Sequence, residues 1–211
     1  MAMRRGLYFV VDGGEGTGTT TMTKYLVEQM KGGKALWTRE PGGANSPYAE
    51  EIRRLILSDS GKQADAETMF CLFWAARRDH LVNTVWPALK DGITVISDRG
   101  DSSTWAYQIY GQEQTQLEDL FSKMRLHYFG QYTPDHYFIL DARPEVGLAR
   151  TKKRADKPTH FDERDLKFHS RVRRGFLEFA SWLGGTIINA EHPQQEVEAR
   201  LLYECKRWVI Y

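Results

Sequence analysis

Two cysteines in 211 residues, Cys71 and Cys205, are too few for a disulfide framework and lack the close pairing of a zinc site. No apolar run approaches the roughly 18 residues that cross a bilayer as a helix, which excludes a helical membrane protein. The start, Met1-Ala2-Met3-Arg4-Arg5, leads straight into an expected strand, with neither an apolar signal core nor a small-residue cleavage site. Excess charge of one sign is missing as well. The 29 Lys and Arg face 28 Asp and Glu, so bulk attraction to nucleic acid is not expected. Internal repeats and low-complexity segments are absent. The chain therefore reads as one soluble, cytoplasmic domain over residues 1–211 (in a host cytoplasm if phage-encoded), with no membrane or nucleic-acid partner. A hydrophobic content of 41% is enough for a substantial core.

Short apolar runs alternate with longer helical patterns, which predicts a parallel α/β sheet. Strands are expected at Leu7–Asp12, Ala35–Thr38, Thr94–Asp98, His136–Leu140 and Thr186–Asn189. Helices are expected at about Thr20–Met30, Tyr48–Ser58, Ala64–Lys90, Ser102–Tyr110, Gln114–Phe129, Pro144–Lys153, Asp165–Trp182 and Pro193–Trp208. In such sheets ligands bind beyond the carboxyl ends of the strands. Polar clusters fall at three of those ends: the glycines from Gly13, the run Arg39-Glu40-Pro41-Gly42-Gly43, and Asp98-Arg99.

The glycine run is the most informative feature. Gly13, Gly14, Glu15, Gly16, Thr17, Gly18, Thr19 and Thr20 fit the phosphate-loop pattern G-x-x-x-x-G-K-[ST] except at the lysine, where Thr19 stands. Glycines let backbone N–H groups turn inward, and a helix N-terminus adds partial positive charge, so the loop suits ATP. Thr20 is placed to put its hydroxyl on Mg²⁺. Farther on, the basic run at about 150–162, with Arg150, Lys153 and Arg154, reads either as a lid that closes over phosphate or as a solvated basic helix end.

Taken together, these blocks resemble the thymidylate kinase family almost end to end. The resemblance is carried by the glycine loop, Thr38-Arg39-Glu40-Pro41-Gly42-Gly43, the segment Met69 to Arg77, and Asp98-Arg99 with Ser103-Thr104-Trp105-Ala106-Tyr107-Gln108. Leu140-Asp141, Pro144 to Leu148 and the region 161–180 complete it. It implies a P-loop nucleoside monophosphate kinase fold, a five-stranded parallel sheet with helices on both faces and a short basic lid. The implied reaction moves the γ-phosphoryl of ATP to dTMP, with Mg²⁺, in a homodimer.

The resemblance also implies roles for individual residues. Phe70 stacks on thymine, or is simply core among Met69, Phe73 and Trp74. Arg77 donates to the base edge, or pairs with an acid such as Asp79. Arg99 grips the acceptor phosphate with Arg39 nearby, a task suited to the guanidinium fork. Asp98 orients Arg99 or supports Mg²⁺ through water, or else caps the next helix. Ser103, Thr104 and Gln108 surround the base and the acceptor phosphate, although a hydroxyl at a helix start is also an ordinary cap. Tyr107 lines the sugar side, and Glu15 approaches the sugar hydroxyl.

Phosphoryl transfer needs positioning and charge neutralisation more than covalent chemistry, and an acceptor that is already ionised needs no general base. With no arginine in the glycine loop, the lid cations Arg150, Lys153 and Arg154 are expected to cover the transferred group. Thr159-His160 stands where lid-arginine members often carry an acid–arginine pair. Thr19 leaves three readings open: lid lysines replace the lost charge, the enzyme is slow, or the protein binds nucleotide without useful turnover. Another monophosphate such as dUMP is the alternative substrate.

Overall fold

The computed structural model describes residues 5–30, 34–43, 45–153 and 159–209. Five short runs of β-branched and aromatic residues pair in parallel, in the order β2-β3-β1-β4-β5. They are β1 (Tyr8–Gly13), β2 (Ala35–Arg39), β3 (Thr94–Asp98), β4 (His136–Asp141) and β5 (Thr186–Asn189), each within a residue of its expected bounds. β1 lies at the centre, Val11 opposite Asp98 on one side and Phe138 on the other. The chain reverses direction across the sheet at β1, so the carboxyl ends of β1, β2 and β3 open on one crevice.

Alternation along the strands divides the core in two. Tyr8, Val10, Val95, Tyr137 and Ile139 face a layer rich in aromatics, including Phe70, Trp74, Trp105, Phe121 and Phe179. Phe9, Val11, Ile96, Phe138 and Ile188 face the other layer, with Met22, Leu26, Leu201 and Cys205. The helices are α1 (Thr19–Gln29), α2 (Pro47–Ile56), α3 (Asp59–Lys62), α4 (Ala66–His80), α5 (Trp86–Lys90), α6 (Asp101–Thr104), α7 (Glu118–Phe129), α8 (Pro144–Thr151), α9 (Leu166–Leu183) and α10 (Gln194–Val209). Asp65 caps α4 by accepting from the N–H groups of Glu67 and Thr68, both at 3.0 Å. Asp165 caps α9 through Phe168 N at 2.7 Å.

Three local departures from the expected pattern have physical causes. The long helix predicted over Ala64–Lys90 is interrupted by a π-helical stretch, Leu81–Val85. Pro87 cannot donate to the carbonyl one turn back and its ring crowds it, so the wider turn takes up the conflict. The predicted helix Ser102–Tyr110 becomes α6 followed by a π-helical stretch, Trp105–Gly111, which aims Tyr107 and Gln108 into the crevice. Short α3 was not expected, and Ser58 initiates it by accepting from Gly61 N at 3.1 Å. Cys205 is buried, which pushes its thiol up to about 12, whereas Cys71 is exposed, so no disulfide joins them. No helix among the described residues is long and apolar enough to cross a membrane.

Candidate active site

Between β1 and α1 the glycine loop turns on two residues with positive φ, Gly16 at 69° and Gly18 at 92°. A Cβ on Gly16 would fall 2.1 Å from the Gly147 carbonyl oxygen, and one on Gly147 would fall 2.1 Å from that of Glu15. Loop and α8 thus meet backbone to backbone, which glycine alone allows. Thr17 locks the turn by donating from Oγ1 to Gly14 O at 2.8 Å. Gly18 starts α1 without a side-chain cap. The first N–H groups of α1 therefore face the crevice with the positive end of the helix dipole.

The crevice is a cavity of about 620 Å³, walled on one side by residues 14–21 of the loop and α1. Thr20 donates to Asp98 Oδ2 at 2.5 Å, while Asp98 Oδ1 is buried without a partner. A hydroxyl beside a carboxylate oxygen that has no partner among the described residues is a donor set that fits Mg²⁺, which favours oxygen and takes few protein ligands. Thr19 lies in the wall, 7% exposed, and presents no charge to it.

Opposite the loop, Arg77 is sunk at the base of the cavity. Its Nε donates to Glu40 Oε2 at 2.7 Å and its Nη2 to Gly100 O at 3.0 Å and Thr104 Oγ1 at 3.1 Å. Its Nη1, and both amide atoms of Gln108 in the same cavity wall, are buried without partners among the described residues. Burial opposes ionisation of Glu40, but Arg77 and His80 outweigh it and hold the carboxyl below its ordinary value. A buried carboxylate thus keeps the arginine fork aimed into the cavity.

Arg99 leaves β3 at a φ of 73°, a strained backbone for a side chain, and directs its guanidinium across the loop. Nη1 donates to Gly13 O at 3.0 Å, Ser103 Oγ at 3.3 Å and Asp12 Oδ1 at 3.4 Å, and Nη2 lies 3.6 Å from Glu15. Tyr107 donates to Glu15 Oε1 at 2.8 Å. Arg39 also enters the wall, paired with Glu50 at 2.9 Å.

Asp12 underlies this arrangement, fully buried, accepting from Gly13 N, Gly100 N, Ser102 and Ser103. Burial pushes its carboxyl up to about 6, against the pull of Arg99 and those donors. Between the ordinary value near 3.8 and this one, the folded chain keeps a proton that the unfolded chain gives up. Stability from this group is therefore full below that window and lost as pH rises through about 6. The gap is worth about 3 kcal/mol. Compared with Asp12→Asn, the natural chain should lose about that much between pH 4 and 7 in urea unfolding. A difference independent of pH would refute the assignment.

Most of the expected residues meet in this cavity: Gly14 to Thr20, Arg39, Arg77, Asp98, Arg99, Ser103, Tyr107, Gln108 and Arg150 all line it, with Gly13 just behind. Three do not. Phe70 is fully buried, its ring 6.2 Å from that of Trp74, and the phenylalanine that α4 sends into the wall is Phe73. Phe73 stands four residues from Arg77, a single turn, so the two share the cavity face more closely than the seven-residue pair Phe70 and Arg77. Thr104 is buried behind the wall and acts only on Arg77. Lys153 is exposed outside the wall, and Arg154 lies outside the described residues.

Of the lid cations among the described residues, Arg150 alone enters the wall, its Nη1 donating to Ala190 O at 2.7 Å. Beyond the lid, His160 Nε2 lies 3.0 Å from Ile56 O at the end of α2, and Phe161 closes the cavity rim. Sequence reading missed Glu40 as the partner of Arg77, Asp12 as the brace of Arg99, and two further wall cations, Arg53 and Lys24. The Arg-Glu-Pro-Gly-Gly block was the available signal for Glu40, since an acid beside a strand-end arginine needs a cation.

A glycine loop at the switch point of a parallel sheet, sharing one cavity with Arg77 and Arg99, is the architecture of a P-loop kinase of nucleoside monophosphates. The family can be stated as well. The family model described as thymidylate kinase matches residues 11–201, and the chain belongs to the thymidylate kinase family. Relatives bearing that name include a protein of Nitrobacter winogradskyi, 41% identical over 94% of this chain and 87% of its own length. Another, from Bradyrhizobium sp. (strain ORS 278), is 40% identical over 84% of this chain and 78% of its own length. A third, from Magnetococcus marinus, is 35% identical over 95% of both.

Proposed function

We propose that the protein transfers the γ-phosphoryl group of ATP to dTMP, giving dTDP, with the donor on the glycine loop and the acceptor in the arginine pocket. The observation that carries this reading is the buried set of Arg77 Nη1 and the Gln108 amide, unpartnered among the described residues, in one cavity with Phe73 and the loop. Buried polar atoms without partners are costly. A pyrimidine under an aromatic ring would satisfy both ends of that amide and the free guanidinium nitrogen. Arg99, with Arg39 beside it, takes the acceptor phosphate. Glu15, held by Tyr107, takes the sugar hydroxyl, leaving the tyrosine ring against the sugar face.

Thr20 and Asp98 would hold Mg²⁺, which when bound neutralises charge on the donor phosphates. The chain's own residues then set the geometry. Loop N–H groups and Arg150 hold one anion, Arg99 the other, and Phe161 helps exclude water at the rim. No residue need take a proton, because the attacking group is an ionised phosphate. We also propose a homodimer, which the family resemblance supports and light scattering would test.

A coupled assay over dTMP, dUMP, dGMP and dAMP, with and without Mg²⁺, tests the reading. Turnover should be fastest with dTMP and vanish without the metal, whereas a strong preference for a purine would defeat it. The two phenylalanines divide the pocket from the core. Phe73→Ala should weaken dTMP binding by about 10- to 100-fold, the worth of one base–aromatic stack. Phe70→Ala should instead cost about 3–5 kcal/mol of stability. Calorimetry and thermal melting of both variants would separate the two effects, and the reverse pattern would return stacking to Phe70.

A further inference from the structure

The missing lysine of the glycine loop leaves a question that the cavity wall answers. Six described cations line it: Lys24, Arg39, Arg53, Arg77, Arg99 and Arg150. Arg39 is held by Glu50, Arg53 by Pro41 O, Arg77 by Glu40, Arg99 by Asp12 and Gly13 O, and Arg150 by Ala190 O. Lys24 donates to no carboxylate or carbonyl among the described residues. Its ammonium rests 5.4 Å from the centre of the Trp37 ring, a weak and reversible hold. Trp37 is itself fixed, its Nε1 donating to Thr23 Oγ1 at 3.0 Å.

Position makes the free charge useful. Lys24 stands four residues after Thr20, one turn along α1 on the same face, and both line the cavity. Side chains on a helix lean toward its N-terminus, so the Lys24 stem points back toward Thr20 and the phosphate cradle. The described lid lysines are worse placed, since neither Lys152 nor Lys153 reaches the wall.

We propose that Lys24 supplies, from one turn inside α1, the cation for the donor phosphates that Thr19 does not provide. The ammonium leaves the Trp37 ring and hydrogen-bonds the outer phosphate oxygens of ATP. Thr19 removes the competing charge and leaves room for it. The proposal rests on the reading of the glycine loop as the ATP site, not on the identity of the acceptor.

Calorimetry of the full chain with ATP and Mg²⁺, and separately with dTMP, tests it. Lys24→Met should weaken ATP binding by about 10- to 100-fold, the worth of one charged hydrogen bond, and leave dTMP binding unchanged. Lys24→Arg should keep most of the affinity. Adding Thr19→Lys to Lys24→Met should restore ATP binding, which a merely structural role for Lys24 would not permit. Lys24 is exposed, and equal melting temperatures would confirm that the variants fold. Equal ATP affinity in the natural chain and Lys24→Met, or no rescue by Thr19→Lys, would overturn the proposal. If the natural chain binds ATP but does not phosphorylate dTMP, the proposed reaction fails while the ATP titrations still decide the role of Lys24. A natural chain that binds no ATP would overturn both.

Discussion

Replacing Arg99 with alanine is expected to lower kcat/KM for dTMP by about 10²–10³-fold, the range that one preorganised charge-stabilising donor supplies. The size follows from how the side chain is held. Arg99 spends backbone strain at a φ of 73° to reach over the loop, where Asp12, Ser103 and the Gly13 carbonyl fix its fork. Asp12, Glu15 and Asp98 around it offset the cost of burying its charge. A guanidinium fixed in this way can bond two phosphate oxygens at once without reorganising during transfer. Arg99→Lys should recover little, because an ammonium on a flexible stem cannot reproduce the fork. Steady-state kinetics with varied dTMP, on variants whose circular dichroism matches the natural chain, would measure this. A loss smaller than tenfold would remove Arg99 from the reacting centre.

The second large effect concerns stability. Glu40→Gln should cost about 3–5 kcal/mol, because it strips the counter-charge from an arginine whose side chain is 1% exposed. For a chain of this size that corresponds to a melting temperature lower by about 6–20 °C. The sign of the pH dependence is fixed as well. Arg77 and His80 overcome the burial of Glu40 and hold its carboxyl below the ordinary 4.5. Its contribution is therefore complete above pH 4.5 and fades as pH falls through the lower folded value. The natural chain should lose this contribution in acid, while the glutamine variant has none to lose. Melting curves from pH 3 to 7 would show the two converging at the acid end. Parallel curves would mean that Glu40 is not ionised in the native state.

How much of this could be read in advance differed by feature, for physical reasons. β3 and β5 fall where expected because isolated β-branched runs between polar turns have few other fates. The crevice was legible because three polar clusters follow three strands, and parallel topology brings those ends together. Phe73 was not, since Met69, Phe70, Phe73 and Trp74 share one helix and only packing decides which ring turns outward. The π-helical stretches were missed for different reasons: Pro87 stood in plain view inside the predicted helix, whereas the stretch Trp105–Gly111 packs against α9, where Gly175 lets Ala106 and Tyr110 come close. Asp12 gave no sign of its brace role, because apart from the adjacent Gly13 N its partners stand 87 to 91 residues away.

Contact between Gly16 and Gly147 has a mechanical meaning. Neither carries a functional group, yet they sit where the phosphate cradle touches the helix that bears Arg150. With no side chain to act as a cushion, a shift of one backbone is passed directly to the other. The span from cradle to guanidinium is thereby gauged by bare main chain, and padding either glycine with a single methyl would recalibrate it.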